Sequence, residues 1–496
     1  MSAVLNRFII ISRDSGKHFF MNAKRYFFFI AIVLAHLNLN AQSTWTLQQC
    51  IQRALDYNIS IKQSSLSNEI NKASVDQSTA SLFPSLNGNA SQNYYYGRSI
   101  DPYTNTFTTQ QVRSNSFSLS SSVAIFEGFI IQNTLKQSKL NYLASQNDLK
   151  KINNDVSLNV VNYYLQVLYN QELLKTTSDQ LDATHVQRDR IKRMYELGSV
   201  NKGNFLDLES QLASDEVRLV QAQAQYDASL LSLTQLLELD SVQNFSIAQP
   251  DILVPEIDIT KFNILAIYTK ALSNQPEIKS SEFKLASAEK SIAIARGGYS
   301  PRIYGSGSLS TNYSNSSQSL VNYIYGPPNS IVSGYTQSGE TVYTVTPNVT
   351  PVFKETPFKD QIDNNLGKSI GLSLQLPIFN GLSTRTNVKR AKLNYEITKL
   401  NHELNKKNLY KSVQQAVNDA SSSLKKYEAG KHSVDALNET LNYNQQRIDL
   451  GLISGYDYLI AKNNLAKAQV DLLQAKYDYI FRLKIIDFYL GTPLAF

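Results

Sequence analysis

The chain has 496 residues, with 48 Lys and Arg against 41 Asp and Glu. The formal charge of +7 falls to +3 when residues 1–41 are set aside, because that segment holds Arg7, Arg13, Lys17, Lys24 and Arg25 against Asp14 alone. A balance this close to neutral gives no reason to expect a nucleic-acid partner. The single cysteine, Cys50, excludes an intrachain disulfide. It follows Leu47, Gln48 and Gln49, which is wrong for a lipobox, so it reads as a small apolar residue on a helix face.

In chain order, residues 1–41 read as an over-extended start followed by a secretory signal at 21–41, with Met21 as the true start. Lys24 and Arg25 precede an apolar run from Tyr26 to Ala35 and a small-residue end. A first repeat is expected over 42–239. It opens with a helix to residue 80, broken by Pro84, because proline lacks the N–H and clashes with the preceding turn. Residues 85–126 turn to Ser, Asn, Tyr and Gly. Phe117, Leu119, Ser121, Val123 and Ile125 alternate there with Ser118, Ser120, Ser122 and Ala124, and this period of two predicts a strand. A weaker strand is expected over 86–96, making a β-hairpin.

From 130 to 197 there is no Gly or Pro. Leu149, Ile152, Val156, Val160, Tyr163, Val167, Leu174 and Leu181 form a coiled-coil-like seam on a helix of about 100 Å. Gly198 sits where a helix end needs a left-handed residue. Asn201 and Asn204 follow at the N-cap and N3 of a returning helix near 202–238. Residues 240–262 are a linker. A second repeat, 263–496, is expected to hold a helix, a β-hairpin with a long loop (301–380), a helix over 382–449, a tip near 451 and a last helix over 455–490. Its tract 312–366 reads as an ordinary hairpin loop.

The two repeats are visible in the letters. IFEGFIIQNTLKQSKLNY (125–142) and IFNGLSTRTNVKRAKLNY (378–395) stand 253 positions apart, and Gly198 maps onto Gly451 at the same offset. Upstream the offset is 217: ALDYNISIK (54–62) lies over ALSNQPEIK (271–279), and Pro84 over Pro301. The unit is roughly 200 residues, too long for a short-period solenoid.

Uncharged, tyrosine-rich alternating strands in an exported chain are the signature of an outer-membrane barrel. Four strands per chain are too few, since the smallest such barrels have about eight, and an open edge is forbidden in lipid. If the strands span the membrane, copies must associate, and about three of them give about twelve strands. Phe126 and Phe379 then belong at the membrane interface, while Gly128 and Gly381 let the strand turn into the helix.

WTLQQCIQRALDYN (45–58), the strands led by Pro84 and Pro301, the IFEGF and IFNGL corners and the two Gly-centred tips together resemble the TolC-type outer-membrane factor family over 45–492. The resemblance implies an α+β membrane protein in which duplicated long helical hairpins form a trimeric α-barrel continuous with a 12-strand outer-membrane β-barrel. It implies a duct of a tripartite efflux or type I secretion system in the outer membrane of a Gram-negative bacterium. The helical part would lie in the periplasm, and the partners would be a periplasmic adaptor and an inner-membrane pump of the RND or ABC type. Asp457 and Asn204 match gate positions of the family. Gly198, Ser199, Val200, Gly451, Leu452 and Ile453 match exposed adaptor-docking tips. Ile453 and Ile460 replace an arginine and a second acid that some members carry, so a polar or apolar constriction is expected.

Asp457 has a competing local explanation, an acid at N3 that caps its own helix. His185, His402 and His432 stand without HExxH, CxxC or a phosphate loop. Neither an enzyme nor a cofactor is expected. The alternative function is a coiled-coil structural spacer anchored in the outer membrane. It would need one apolar seam and a dry core, where a duct needs two lateral seams and a polar lumen.

Overall fold

A computed structural model describes residues 44–101, 103–109, 111–242, 245–250, 254–255, 262–450 and 452–494. The expected signal segment, Gly451 and much of the 240–262 linker therefore lie outside the described residues. The elements in order are β1 (Thr44–Trp45), α1 (Leu47–Tyr57), α2 (Ile59–Ala80), β2 (Ser85–Tyr95), β3 (Ser99–Ile100), β4 (Phe107–Thr108), β5 (Val112–Glu127), α3 (Ile130–Glu196) and α4 (Lys202–Leu236). Then come β6 (Ser246–Ile247), α5 (Ile264–Asn274), α6 (Pro276–Gly297), β7 (Arg302–Ser314), β8 (Gln318–Tyr335), β9 (Thr341–Glu355), α7 (Phe358–Asn364), β10 (Gly367–Gln375), α8 (Ser383–Asp449) and α9 (Gly455–Leu490). The long helices α3 and α8 have 67 residues each, and their starts lie 253 positions apart.

The chain divides into two compact units, one of 1–64, 149–275 and 407–496, the other of 65–148 and 276–406. In the first, α1 starts with a capping box in which Gln49 N–H donates to Thr46 Oγ1 (3.3 Å) and Thr46 N–H to Gln49 Oε1 (2.9 Å). It buries Leu47, Cys50, Ile51 and Ala54, one face of a helix of period 3.6. These meet Val156, Val160, Tyr164 and Val167 of α3, Leu230 and Leu233 of α4, and Ile247 of β6 in the main core. β1 and β6 pair in parallel. The buried Tyr164 hydroxyl holds both ends of that junction, donating to Ala248 O at 2.7 Å and Trp45 O at 3.2 Å. The α3 seam differs from the expected one at Tyr163, which faces out at 37% exposure while Tyr164, Leu165 and Leu168 are buried. The helix packs on more than one neighbour, and its buried stripe is wider than a two-stranded seam.

The second unit holds a four-stranded antiparallel sheet in the order β10-β7-β5-β2. Register sorts most of its residues, because side chains alternate between faces, although Ser121, Gln92, Asn115 and Lys368 fall on the otherwise apolar side. Leu86, Ala90, Phe117, Leu119, Val123, Leu309, Ile370, Leu372 and Leu374 share one face, with Gly305 and Gly307 between them. Asn87, Asn89, Ser91, Ser116, Ser118, Ser120, Ser306, Ser308, Ser310, Ser369 and Ser373 share the other. Much of the apolar face is exposed, Ile370 to 96% and Leu372 to 73%, while Phe117 packs edge-on against Phe358 of α7 with ring centroids 6.4 Å apart. The outer edges of β2 and β10 are unpaired among the described residues.

The helices of this unit repeat that layer. α3 meets α2 through Ser78–Ser138 (2.8 Å) and Ser145–Asn68 (2.8 Å). It meets α6 through Gln137–Ser291 (2.6 Å), Asn141–Ser287 (2.6 Å) and Asp148–Ser280 (2.5 Å), with Lys284 paired to Asp148 at 2.8 Å. α6 in turn meets α8 where Ser281 Oγ lies 2.7 Å from His402 Nδ1. The order is α2-α3-α6-α8, and both outer helices leave apolar side chains exposed, Leu66 and Ile70 on α2 and Leu393, Ile397, Leu400 and Leu404 on α8.

The tract 312–366 is not a simple loop. It holds β8 and β9, paired from Gln318–Glu355 to Tyr335–Thr341, and the short helix α7. Alternating Tyr, Val, Ile and Thr carry a strand signal there, which the prolines at 327, 328, 347 and 351 obscure.

Candidate functional site

The tips lie within the first unit. α3 ends in a Schellman turn: Gly198 has φ +73°, its N–H donates to Tyr195 O (2.9 Å), and Ser199 N–H donates to Met194 O (2.8 Å). The second tip makes the same long bond, Leu452 N–H to Arg447 O at 2.9 Å. Each returning helix is capped by a side chain. Asn201 Oδ1 accepts from Asn204 N–H at 2.9 Å. Ser454 Oγ accepts from Asp457 N–H at 3.2 Å, while Asp457 Oδ2 accepts from Ser454 Oγ–H at 2.7 Å and from Ser454 N–H at 3.4 Å. Asp457 is thus the acid of a closed capping box, and its carboxylate remains exposed.

Asn204 lies against the start of α9, since a Cβ on Gly455 would stand 3.6 Å from Asn204 Cγ. Beneath, Ile191, Leu208, Tyr458 and Leu459 form a small core. Val200 and Ile453, expected on the exposed tips, are half-buried against this core. Each follows the turn and is drawn inward as the chain re-enters the helix. Ser199 and Leu452 are exposed, as are Leu197 (81%) and Leu450, which the sequence reading did not single out. A cavity of about 260 Å³ opens here, lined by Arg190, Met194, Asn201, Asn204 and Tyr458.

A buried polar cluster lies farther along the same helices and was not anticipated. Thr184 Oγ1 is 2.5 Å from Asp215 Oδ2, Gln211 Nε2 donates to Asp215 Oδ1 at 2.8 Å, and Arg218 lies 3.2 Å from the same oxygen. Lys462 of α9 donates to Thr184 and approaches Asp215 at 4.0 Å. Burial pushes the Lys462 ammonium below its ordinary range, and Asp215 partly offsets this. In the sequence Asp215 and Lys462 look like any solvated helix charge; only the assembled helices bring them together.

The strand-to-helix corners lie in the second unit. Gly128 and Phe129 both have φ near +59°, and Gly381 and Leu382 have +61° and +63°. Two consecutive left-handed residues at each corner carry the chain from strand to helix. Gly128 is buried: a Cβ there would lie 2.6 Å from Gly297 O, and a Cβ on Gly297 would lie 2.4 Å from Ile130 Cγ1. Among the described residues nothing lies within 4 Å of a Cβ on Gly381. The flanking residues differ in the same way. Phe126 is half-buried with its ring 5.5 Å from Phe129, whereas Phe379 is 82% exposed; Pro301 is half-buried and Pro84 exposed.

Among the described residues no helix is long and apolar enough to cross a membrane, and no group of His, Cys, Asp and Glu is placed to hold a metal ion.

A family model described as outer membrane efflux protein matches residues 50–238 and 267–492. Toxin and drug export protein A of Aggregatibacter actinomycetemcomitans is 22% identical over 448 residues, 88% of this chain and 83% of that protein. The crystal structure of CusC superposes with a TM-score of 0.72 at 17% identity, covering 90% of this chain and 92% of that one. The CmeC outer membrane channel of Campylobacter jejuni gives 0.72 at 19%, covering 90% and 85%.

Proposed function

We propose, from the premise that this chain belongs to the outer membrane efflux protein family, that it is the outer-membrane duct of a tripartite export machine. The family consists of non-enzymatic channels, so this chain is an efflux or secretion channel of the Gram-negative outer membrane. Beyond that, three copies would close a twelve-stranded barrel above a tunnel of helices in the periplasm. An adaptor would dock at the tips, and an inner-membrane pump of the RND or ABC type would drive transport.

The observation that carries the reading is the open four-member layer. It ends in β2 and α2 on one side and in β10 and α8 on the other, with unpaired strand edges and exposed apolar helix faces. An open edge cannot persist in lipid, and a second copy supplies what each side lacks. The duplication suggests how. Within the chain β5 pairs with β7 so that Ser118 faces Ser310 and Phe126 faces Ile303. Shifted by 253 and 217 positions, the same pairing sets Gly371 of β10 opposite Asn93 of a neighbour's β2, and Phe379 opposite Leu86. Applied to α3 and α6, the shift brings Asn394 and Ile397 of α8 to Ile70 and Ser67 of a neighbour's α2. The bare Gly381 corner then receives the neighbour's Pro84 segment, as Gly128 receives 297–301.

Closed this way, the Ser/Asn face of the sheet lines a neutral, hydroxyl-rich lumen and the Leu/Ile face meets lipid. Helices with two lateral seams each suit a hollow tunnel; a dry-cored spacer would use one. Asp457 and Asn204 would stand at the periplasmic mouth, and Ser199, Val200, Leu452 and Ile453, with Gly198 and Gly451, would form the docking tips.

The test is single-channel conductance in planar bilayers, with oligomeric mass measured in the same detergent. A trimer with low, fluctuating conductance is expected. Asp457→Ala and Ser454→Ala both break the capping box, at about 1 kcal/mol each, but only Asp457→Ala removes the mouth's carboxylate. A rise with Asp457→Ala alone supports a gate; equal changes reduce Asp457 to a cap. A monomer without conductance refutes the duct.

A further inference from the structure

The β8–β9 ribbon presents two unlike faces. β9 runs regularly while the register shifts fall on β8, so alternate residues of β9 define each face. Tyr343, Val345, Pro347, Val349, Pro351 and Phe353 lie on one, opposite Val332, Ser330, Tyr325, Tyr323 and Leu320 of β8. Val342, Thr344, Thr346, Asn348, Thr350 and Val352 lie on the other, opposite Gly334, Ile331, Asn329, Gly326, Ile324 and Asn322, a mixed face with four apolar side chains among Thr, Asn and Gly. Of residues 318–355 only Glu340, Lys354 and Glu355 are charged, all at the turn or the base. The apolar face is bare, with Tyr325 76%, Val345 62% and Phe353 54% exposed.

The base of the ribbon is fixed. Tyr313 donates to Glu355 and accepts from Arg113 (3.0 Å), and its ring packs 5.1 Å from Phe358. Buried Gln361 donates to Ser314 O (2.9 Å) and Thr356 O (2.8 Å) and accepts from Ser314 N–H (3.0 Å). A two-stranded ribbon is marginal alone in water, so this face needs a cover.

The bilayer core is not that cover. β5 and β7, with 16 and 13 residues, already exceed the roughly 9–11 that a tilted strand needs to span it. The ribbon continues from β7 for a further 15 residues or more, roughly 50 Å. Strand addition at its edges is obstructed by Pro327 and Pro328 on β8 and by Pro347 and Pro351 on β9. The cover must pack on the face.

We propose that the apolar faces of the ribbons of three copies pack on one another at the three-fold axis and cap the outer mouth of the duct. This rests on the trimer reading above. The ribbon joins β7 to β10, the edge strand that the neighbouring copy pairs with, so a second copy is the protein surface fixed nearest to it. Equivalent faces of three copies can cover each other only where they meet at the common axis. The absence of charge on the face lets identical surfaces approach without repulsion. Substrate exit would require the ribbons to part.

The test uses full-length protein in detergent, with Val345→Cys on the apolar face and Thr344→Cys on the other. Cys50 is fully buried and serves as a silent internal thiol. Oxidation should join Val345→Cys copies into covalent dimers at least tenfold more than Thr344→Cys, and Tyr343→Cys should behave like Val345→Cys. A trimer by mass in which neither face cross-links, or both do equally, overturns the cap and leaves the trimer standing. A monomer by mass overturns both. Replacing 318–355 with a short turn should raise single-channel conductance if the cap is present; unchanged conductance contradicts it.

Discussion

Gly128 and Gly297 meet so closely that neither position has room for a Cβ: one on Gly128 would lie 2.6 Å from the Gly297 carbonyl oxygen. This contact seats the strand-to-helix corner of the first repeat against the end of α6. Gly381, at the matching place in the second repeat, has the same left-handed backbone, and among the described residues nothing lies within 4 Å of where its Cβ would stand.

Gly128→Ala adds a left-handed alanine, costing about 1–2 kcal/mol, to an overlap costing a further 1–3 kcal/mol or so. Gly381→Ala carries only the first cost within one copy. In the proposed closed ring the Gly381 corner would gain a neighbour, and the two variants should then lower the thermal midpoint of the oligomer by similar amounts. In monomers separated by detergent Gly128→Ala should be the worse of the two. Equal effects in the monomer would contradict the asymmetry seen here.

The buried cluster below the tips should behave as a unit. Asp215→Ala leaves Lys462 desolvated beside Thr184 and is expected to cost about 3 kcal/mol. Adding Lys462→Met should recover most of that loss, because it removes the stranded charge. Chemical denaturation of the two variants and the wild type reads the difference, and strict additivity would argue against coupling between the two residues.

His402 couples the α6–α8 contact to pH. Burial, helped by Lys406 and opposed by Glu282 and Glu403, holds its pKa below the ordinary value of 6.5. The unfolded chain therefore takes up the proton first as pH falls. The stability that the neutral ring contributes beside Ser281 is complete above about pH 6.5 and is lost as pH drops through the folded-state pKa. His402→Gln should flatten the thermal midpoint between pH 7 and pH 5; an unchanged slope would place the acid sensitivity elsewhere.

Much of this was legible in the sequence because local rules carried it. Pro84, the alternation from Phe117 to Ile125, the Gly-free run after residue 130 and the capping residues at 201 and 454 each determine structure within a turn or two. The less legible parts depend on partners distant in sequence. Tyr164 rather than Tyr163 turned out to face the core because α3 packs between neighbours. Gly297 became recognisable only when its approach to Gly128 was seen. Val200 and Ile453 turned inward because the tip has a core of its own. The β8–β9 ribbon was hidden by its prolines, which suppress a strand signal while protecting a strand edge.

Closure of the ring by neighbouring copies is the central claim, and a disulfide reports it most directly. The pairing that sets Gly371 opposite Asn93 also sets Ser373 opposite Ser91 of the next chain. With cysteines at Ser373 and Ser91 of every copy, oxidation should join the copies into a covalent trimer, while the pair Ser373 and Asn89, two residues out of register, should cross-link far less. Covalent trimer from the first pair alone is the expected result. Only monomer from both pairs, in protein whose conductance is normal, would contradict closure through β10 and β2.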